Sequence, residues 1–299
     1  MRILILGGRG NLGSQLIRVF SEDKRDREVF SWDREELDFL NFSLLEERIM
    51  ELAPDLIVNA AAYNAVDNCE TEDGYRAALA LNRDLPGVLA DIALALDAIL
   101  VHYSTDYVFN GTSERSEFKE SDTPNPVNKY GESKFQGERE ILRRAGRGLK
   151  YYLVRTSKLF GPRGASPSVK PSFFDIMFDL AADKGANDEK INEEGINVVN
   201  EEMSCFTYTP DLAVATLGLV ETQMPFGLYH LINDGAATWY EAAEELFRLK
   251  KIKVNLRAVR SEDLSRPARR PKFSVLKNTK ARKLRPWKAA LKEYLELGL

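Results

Sequence analysis

Short apolar runs alternate with longer amphipathic segments through the first half of the chain. Apolar runs with the length and composition of buried strands occupy residues 2–6, 29–32, 55–58, 98–101 and 151–154. Between them, residues 14–20 and 74–96 repeat apolar side chains at helical spacing, and Asn125–Pro126–Val127 is expected to open a further helix. Such alternation predicts a parallel sheet covered by helices on both faces, and right-handed crossovers make it a doubly wound α/β fold.

The second half of the chain has a less regular pattern. Residues 161–171 are rich in Gly, Pro and Ser and are expected to form a loop. Residues 211–221 and 238–250 have helical spacing, the latter opened by a Thr238 cap, and residues 227–232 are typical of a strand. Arg-Pro-Ala-Arg-Arg-Pro at 266–271 is either a solvated basic loop or a clamp for a diphosphate, since guanidinium groups pair bidentately with phosphate oxygens.

A glycine-rich turn follows the first predicted strand directly. It reads Gly7-Gly8-Arg9-Gly10-Asn11-Leu12-Gly13 and leads into the first predicted helix. Glycines let a backbone approach a pyrophosphate closely, and the helix N-terminus offers free N–H groups to the anion. The second predicted strand ends at Asp33, an acid placed to accept hydrogen bonds from ribose hydroxyls. The strand, loop, helix, strand and acid in this order predict a dinucleotide site, against the alternative of a plain glycine turn.

Tyr130 and Lys134 are four residues apart and therefore share one face of their predicted helix. An ammonium near a phenol lowers the phenol pKa, which suits the tyrosine to proton exchange with a carbonyl or alcohol. Ser104 and Thr105 end the fourth predicted strand, where a parallel sheet binds its ligands. We expect these hydroxyls to reach a substrate beside Tyr130. Taken alone, the Tyr-xxx-Lys pair could be two solvated helix residues. The hydroxyls of Ser104 and Thr105, taken alone, could simply cap the end of their own strand.

Composition narrows the class of protein. The 299 residues are long enough for one or two domains, and the net charge of -4 with 29% charged residues gives no reason to expect binding to nucleic acid or membrane. The lack of a leader-like or membrane-spanning stretch predicts a cytoplasmic protein. Two cysteines without metal-ligand spacing fit a reducing compartment, and His102 and His230 lie in apolar runs, where packing roles are usual.

The chain resembles the dTDP-4-dehydrorhamnose reductases, which are extended short-chain dehydrogenase/reductases. The resemblance covers nearly the whole length. It is carried by the glycine loop, Asn59-Ala-Ala-Ala-Tyr-Asn-Ala-Val-Asp67, Ser104-Thr-Asp-Tyr-Val-Phe109, Pro124-Asn-Pro-Val-Asn-Lys-Tyr-Gly-Glu-Ser-Lys134, Arg155-Thr-Ser157, Gly227-Leu-Tyr-His-Leu231, Trp239-Tyr240 and Ala268-Arg-Arg-Pro271.

The resemblance implies a Rossmann-type fold with a smaller, discontinuous C-terminal substrate domain. The implied dinucleotide-binding domain spans residues 1–157 with a return around 206–230, and the substrate domain takes residues 158–205 and 231–299. The implied reaction is reduction of a 4-keto-6-deoxy sugar nucleotide, with dTDP-4-dehydro-L-rhamnose giving dTDP-L-rhamnose. Tyr130 would protonate the ketone oxygen, Thr105 would hydrogen-bond it, and Lys134 would bind the nicotinamide ribose.

Further site residues follow from the same resemblance. Those implied to hold the cofactor are Gly7, Arg9, Gly10, Asn11, Leu12, Gly13, Asp33, Arg34, Asp38, Phe39, Ala61, Ala62, Asn64, Tyr130 and Lys134. Those implied to hold the dTDP-sugar are Val66, Ser104, Thr105, Asp106, Tyr107, Lys158 and Arg270. Because Arg9 and Arg34 can both approach a 2′-phosphate, we expect NADPH as the cofactor, with NADH tolerated.

Four positions depart from the family pattern. Lys158 stands where the family usually has a sugar-contacting Trp, Phe206 replaces a Pro, and Asn64 replaces a Thr. Gln15 stands where some relatives use a glutamate to hold magnesium at a dimer interface, and an amide is a poorer ligand for a hard cation. We therefore expect no bound metal and a monomer or weak dimer.

Two other functions remain open on the sequence. The same fold serves as a regulatory subunit that binds a nicotinamide cofactor, as in the beta subunit of methionine adenosyltransferase. It also serves epimerases and dehydratases. A dehydratase needs an acid and a base near Thr105, and here Asp106 is followed by Tyr107 rather than by Glu.

Overall fold

The computed structural model describes residues 1–22, 26–111, 117–167, 169–183 and 195–298. Its strands, in chain order, are β1 (Arg2–Leu6), β2 (Glu28–Trp32), β3 (Leu56–Asn59), β4 (Ile99–Thr105), β5 (Lys150–Thr156), β6 (Leu159–Phe160), β7 (Ile196–Val199), β8 (Ser204–Cys205), β9 (Thr207–Tyr208), β10 (Gly227–His230), β11 (Ala236–Ala237) and β12 (Leu256–Val259). Its α-helices are α1 (Asn11–Glu22), α2 (Phe42–Leu52), α3 (Glu72–Leu79), α4 (Leu85–Ala95), α5 (Lys129–Ala145), α6 (Phe173–Asp183), α7 (Thr209–Glu221), α8 (Trp239–Lys250) and α9 (Trp287–Glu296). No described helix combines the length and apolarity that crossing a membrane requires.

Six parallel strands form the central sheet in the order β10-β5-β4-β3-β1-β2. The strand order reverses at β1, which pairs with β2 on one side and with β3 on the other. Ligands of such sheets bind outside the carboxyl ends of the strands, at the point of reversal. The predicted Rossmann-type doubly wound fold is confirmed, and it places the glycine loop at this point.

Helices cover both faces of the sheet. Ile3 and Ile5 face a cluster that includes Leu16 of α1 and Leu212 of α7. Leu4 and Leu6 point the other way, into a second cluster built with α2, α4 and α5. Successive strand residues alternate between faces, and both faces of the inner strands are buried, so β1 and β3 read as nearly unbroken apolar runs.

A third apolar cluster, rich in aromatic residues, gathers α6, α8 and α9 with short paired strands. Its fully buried aromatic side chains include Phe160, Phe174, Phe206 and Tyr208. Phe206, which replaces a proline of the family, packs against Phe174, Trp239 and Trp287 with ring centroids 5.4, 5.4 and 5.5 Å away. The predicted division into two domains, with its boundaries, stays a prediction.

Two predicted helices differ in detail from the structure. The segment expected as one helix over residues 74–96 consists of α3, a π-turn at Ala80–Asp84, and α4. The π-turn carries the buried Asn82, whose amide bonds both backbone groups of Tyr63 at 2.9 Å. The helix expected to open at residue 125 begins at Lys129, because Asn128 caps it by accepting from the Gly131 N–H at 2.7 Å.

Candidate active site

A cleft of about 490 Å³ opens at the carboxyl ends of the central strands. Its walls combine the glycine loop, the ends of β3, β4 and β5, the start of α5, and the loop before α6. The predicted site residues that line it are Gly7, Gly10, Asn11, Leu12, Gly13, Asp33, Arg34, Phe39, Ala61, Ala62, Asn64, Ser104, Thr105, Tyr130, Lys134 and Lys158. The structure thus brings the nucleotide and catalytic predictions together in one cavity.

The glycine loop owes its shape to two positions. Gly7 has φ of 78°, in the left-handed region that side chains disfavour, as the chain turns off β1. Gly13 lies in the first turn of α1, where an added Cβ would overlap the carbonyl oxygen of Gly7. The glycine loop therefore forms a cradle, a concave stretch of backbone beside the N-terminus of α1. Its shape requires glycine at positions 7 and 13.

The acid at the end of β2 is tied to the loop. Asp33 is buried, and its carboxylate accepts from the backbone N–H groups of Arg9 at 3.0 Å and Arg34 at 2.9 Å. Glu36 accepts from the Asp33 N–H at 2.8 Å and pairs with the Arg9 guanidinium at 2.7 Å. The arginine side chains remain well exposed, so two cations lie at the rim beside the buried carboxylate of Asp33.

Tyr130 and Lys134 lie one turn apart on α5 and face Thr105 at the end of β4. The side chain of Lys134 is buried, and its Nζ donates to the backbone oxygen of Tyr103 at 2.6 Å. The Thr105 hydroxyl donates to Oδ1 of Asp106 at 3.1 Å and accepts from the Tyr107 N–H at 3.2 Å. Tyr130, Lys134 and Thr105, which can each donate a hydrogen bond to an oxygen, therefore share one wall of the cleft.

Burial determines the protonation states of Tyr130 and Lys134. Burial raises the pKa of Tyr130, and its hydrogen bond with Thr105 opposes that rise only in part. Burial also lowers the pKa of Lys134 to about 8, while the carboxylate of Glu138 raises it. Tyr130 is therefore protonated near neutral pH and suited to donate. The prediction that the tyrosine pKa is lowered is wrong for this structure, because burial raises it.

Lys158 lies just beyond β5, close to Thr105 through the pairing of Thr105 with Thr156. Its backbone is left-handed, with φ of 38°, an uncommon conformation for a lysine. The ammonium sits 3.7 Å from the ring centroid of Trp239 and donates to the backbone oxygen of Glu202 at 3.2 Å. Burial lowers the pKa of Lys158 to about 7, although the carboxylates of Asp106 and Glu202 raise it.

Six predicted site residues are absent from the described cleft lining: Arg9, Asp38, Val66, Asp106, Tyr107 and Arg270. Asp106 is buried behind Thr105 and accepts from the Ser274 hydroxyl at 2.5 Å. The guanidinium of Arg270 forms a bidentate pair with Asp67, at 2.5 and 2.7 Å. Arg266 likewise pairs with Glu202. Two of the three arginines in the possible diphosphate clamp, Arg266 and Arg270, are thus engaged by carboxylates.

Sequence reasoning missed one wall of the cleft. Cleft-lining residues without a predicted role are Ala60, Leu81, Tyr103, Thr156, Ser157, Leu159, Ser166, Val169, Lys170, Pro171 and Ser172. Asn11 ties the loop before α6 to the glycine loop, because its side chain accepts from the Gly164 N–H at 2.8 Å and donates to the Lys170 oxygen at 3.2 Å. The sequence signalled only that this segment is a loop.

Acidic, histidine and cysteine side chains of the described residues form no group of three or more arranged to hold a metal ion. The buried Gln15 on α1 bonds Arg18 through its amide oxygen at 3.2 Å.

A doubly wound parallel sheet, a glycine cradle at β1–α1, and a Tyr-Lys pair beside a strand-end threonine together define a short-chain dehydrogenase/reductase. The chain belongs to the dTDP-4-dehydrorhamnose reductase family: the family model described as "RmlD substrate binding domain" matches residues 1–298.

Individual relatives match along nearly their full length. A dTDP-4-dehydrorhamnose reductase of Streptomyces griseus is 35% identical, over 98% of this chain and 92% of the relative. A probable dTDP-4,6-dihydroxy-2-methyloxan-3-one 4-ketoreductase of Streptomyces antibioticus is 34% identical, over 98% and 94%. The crystal structure of the Bacillus anthracis dTDP-4-dehydrorhamnose reductase in complex with NADP superposes with a TM-score of 0.85, at 30% identity and 99% coverage of both chains.

Proposed function

We propose that this protein uses NADPH to reduce the C4 ketone of a 4-dehydro-6-deoxy sugar nucleotide. The names of its relatives favour dTDP-4-dehydro-L-rhamnose as the substrate and dTDP-L-rhamnose as the product. The observation that carries the proposal is the single cleft in which Tyr130, Lys134 and Thr105 form one wall and the glycine loop another.

The residues present fit a dinucleotide. The cradle at Gly7 and Gly13 would receive the pyrophosphate, where any Cβ would intrude. Asp33 would accept from the adenosine ribose, with Phe39 beside the adenine. Arg9 and Arg34, at the exposed rim, favour NADPH, while Asp33 allows NADH as well. When bound, the cofactor supplies the hydride for the ketone carbon.

Side chains of the protein supply the proton and orient the substrate ketone and the cofactor. Tyr130 donates its phenolic proton to the ketone oxygen as negative charge develops there. Thr105 hydrogen-bonds the same oxygen, for which its hydroxyl turns away from Asp106. Lys134, anchored on the Tyr103 carbonyl, directs its remaining hydrogens to the ribose side of the cleft. Thr156 has a buried hydroxyl oxygen without a protein partner, and we assign it to the ligand side.

The reductase function is favoured over the two alternatives. A regulatory subunit has no need of a buried proton donor beside a strand-end threonine. For a dehydratase, Asp106 would have to serve the substrate, yet it is buried behind Thr105 and bonded to Ser274. Neither alternative is supported by the names of the relatives given above.

We propose a cytoplasmic enzyme that acts as a monomer or weak dimer on its dTDP-sugar. Cys69 and Cys205 are both free and buried, which suits a reducing compartment. The neutral Gln15 in the first helix supports independence from a metal-bridged dimer.

The test is to mix the purified protein with NADPH and enzymatically generated dTDP-4-dehydro-L-rhamnose and to follow the absorbance of the reduced nicotinamide. We expect its loss to match the formation of dTDP-L-rhamnose, identified by NMR. Cofactor binding without turnover of this or any related dTDP-4-ketosugar would reject the proposal.

Gly13→Ala is expected to weaken NADPH binding by about tenfold to a hundredfold, since the new Cβ must displace the Gly7 carbonyl at a cost of about 1–3 kcal/mol. The dissociation constant is measured by fluorescence titration. Gly218→Ala on α7 is the matched control, because its Cβ meets open space. Unchanged affinity in Gly13→Ala would mean that the pyrophosphate binds elsewhere.

Lys158→Met is expected to raise KM for the sugar nucleotide by about tenfold, the worth of one lost charged hydrogen bond, with NADPH affinity unchanged. Lys158 lines the cleft near Thr105 and away from the glycine loop. Lys150→Met, at the opposite end of β5, is the control. Steady-state kinetics distinguish the two, and an equal KM in both variants would remove Lys158 from the sugar pocket.

A further inference from the structure

A chain of buried polar side chains runs from the third strand to the catalytic lysine. Asn59 and His102 are paired neighbours on β3 and β4, and His102 reaches Lys134 on α5. Their exposed fractions are 1%, 1% and 2%. Buried polar groups are costly unless bonded, so the arrangement of their hydrogens is tightly constrained.

The direction of the hydrogen bonds fixes the histidine tautomer. The backbone N–H of Ala61 donates to Oδ1 of Asn59 at 3.1 Å, which leaves the amide nitrogen facing Nδ1 of His102 at 3.0 Å. An amide nitrogen only donates, so Nδ1 of His102 accepts and the ring hydrogen sits on Nε2. Burial, and next the ammonium of Lys134, hold the pKa of His102 well below its ordinary value, so the ring stays neutral.

The ring hydrogen points at the lysine. Nε2 of His102 lies 3.5 Å from Nζ of Lys134, whose other partner is the Tyr103 carbonyl at 2.6 Å. A neutral amine can accept the Nε2–H, whereas an ammonium has no lone pair to receive it. The other ionisable groups facing Lys134 are Glu138 and Tyr130 on its own helix. Among the described groups that face Lys134 from β3 and β4, only His102 points an N–H at Nζ. That N–H can bond the neutral amine of Lys134 but not its ammonium.

We propose that His102, oriented by Asn59, is a positioning residue for the reductase reaction that sets the place and the protonation of Lys134. This inference rests on the proposed function. Tyr130 loses its proton to the ketone oxygen, and Lys134 gives one proton towards the resulting phenolate. The neutral amine of Lys134 then accepts a hydrogen bond from the Nε2–H of His102 until solvent returns a proton to Nζ. His102 itself gains and loses none.

The first test follows the tautomer directly. The chain has two histidines, so ¹⁵N spectra of histidine-labelled protein are simple to assign with His102→Gln. We expect His102 to show a neutral ring with the hydrogen on Nε2 at pH 7. A ring hydrogen on Nδ1, or an imidazolium, would overturn the inference. Because no sugar substrate is used, this outcome is independent of whether the proposed function holds.

The second test uses turnover across pH in protein shown to bind NADPH. Removing the Nε2–H in His102→Leu is expected to move the alkaline limb of kcat, set by Lys134, upward by about one pH unit. The plateau of kcat should fall by about tenfold, because the neutral amine formed after each proton transfer loses the hydrogen bond that holds Nζ in place. His102→Gln, which can still accept and donate, should recover part of both effects. An alkaline limb unmoved in folded, active His102→Leu would overturn the inference. Inactive wild-type protein would instead count against the proposed function.

Discussion

Replacing Tyr130 with phenylalanine is expected to lower kcat by about 10²- to 10⁴-fold, the range that a positioned general acid contributes. The substitution removes one hydroxyl and keeps the ring that packs edge-to-face on Tyr107, with centroids 5.9 Å apart. The fold and the NADPH affinity should therefore persist. Single-turnover reduction of the ketosugar with saturating NADPH measures the chemical step without the contribution of product release.

Tyr240→Phe is the control for this loss. It removes a phenol from α8, outside the described lining of the cleft, and should leave kcat within about twofold. If Tyr130→Phe kept the wild-type rate while Tyr240→Phe did too, another group would be the proton donor. Thr105, which lies on the same wall, would then be the first residue to replace.

The largest expected loss of stability is in Glu138→Gln. Glu138 and Arg155 are fully buried and form a bidentate pair at 2.8 and 2.6 Å, with the Ser104 hydroxyl donating to Glu138 at 2.6 Å. This pair holds α5, and with it Tyr130, against β5. Removing one charge leaves the other buried without compensation, which costs about 3–5 kcal/mol of the free energy of unfolding. Urea unfolding at neutral pH measures it.

Glu132→Gln makes the same chemical change on the same helix. Its partner Lys129 lies 3.0 Å away in an exposed pair, which contributes about 0.5 kcal/mol or less. Comparable losses in the two variants would contradict the assignment of Glu138–Arg155 as a buried structural pair. The double variant Glu138→Leu/Arg155→Met should recover much of the lost stability, since an apolar pair needs no charge compensation.

Local sequence patterns predicted the parts of the molecule that are formed by residues close together in the chain. The strand runs, the glycine loop with Asp33, and the Tyr130–Lys134 pair each span a few residues, and the fold puts them at the strand ends as parallel-sheet topology requires. The start of α5 differed by a few residues because the Asn128 cap, rather than the preceding Asn-Pro, ends the loop.

The parts that were missed depend on contacts between distant segments. Arg270 pairs with Asp67 across 203 residues of sequence, and no local pattern in either segment indicates it. The loop before α6 reaches the cleft through Asn11, more than 150 residues earlier. His102 looked like a packing residue, which its burial supports, but its bonds to Asn59 and Lys134 require the strand register of the folded sheet.

Ketone reduction at C4 is tested most sharply by following the transferred hydride. The purified protein is incubated with dTDP-4-dehydro-L-rhamnose and NADPH that carries deuterium at C4 of the nicotinamide, with each face labelled in turn. We predict that one of the two labelled cofactors delivers deuterium to C4 of the product sugar, seen by NMR and mass spectrometry. Product without deuterium at C4 from either cofactor, or no product from a protein that binds NADPH, would rule out hydride transfer to the ketone carbon.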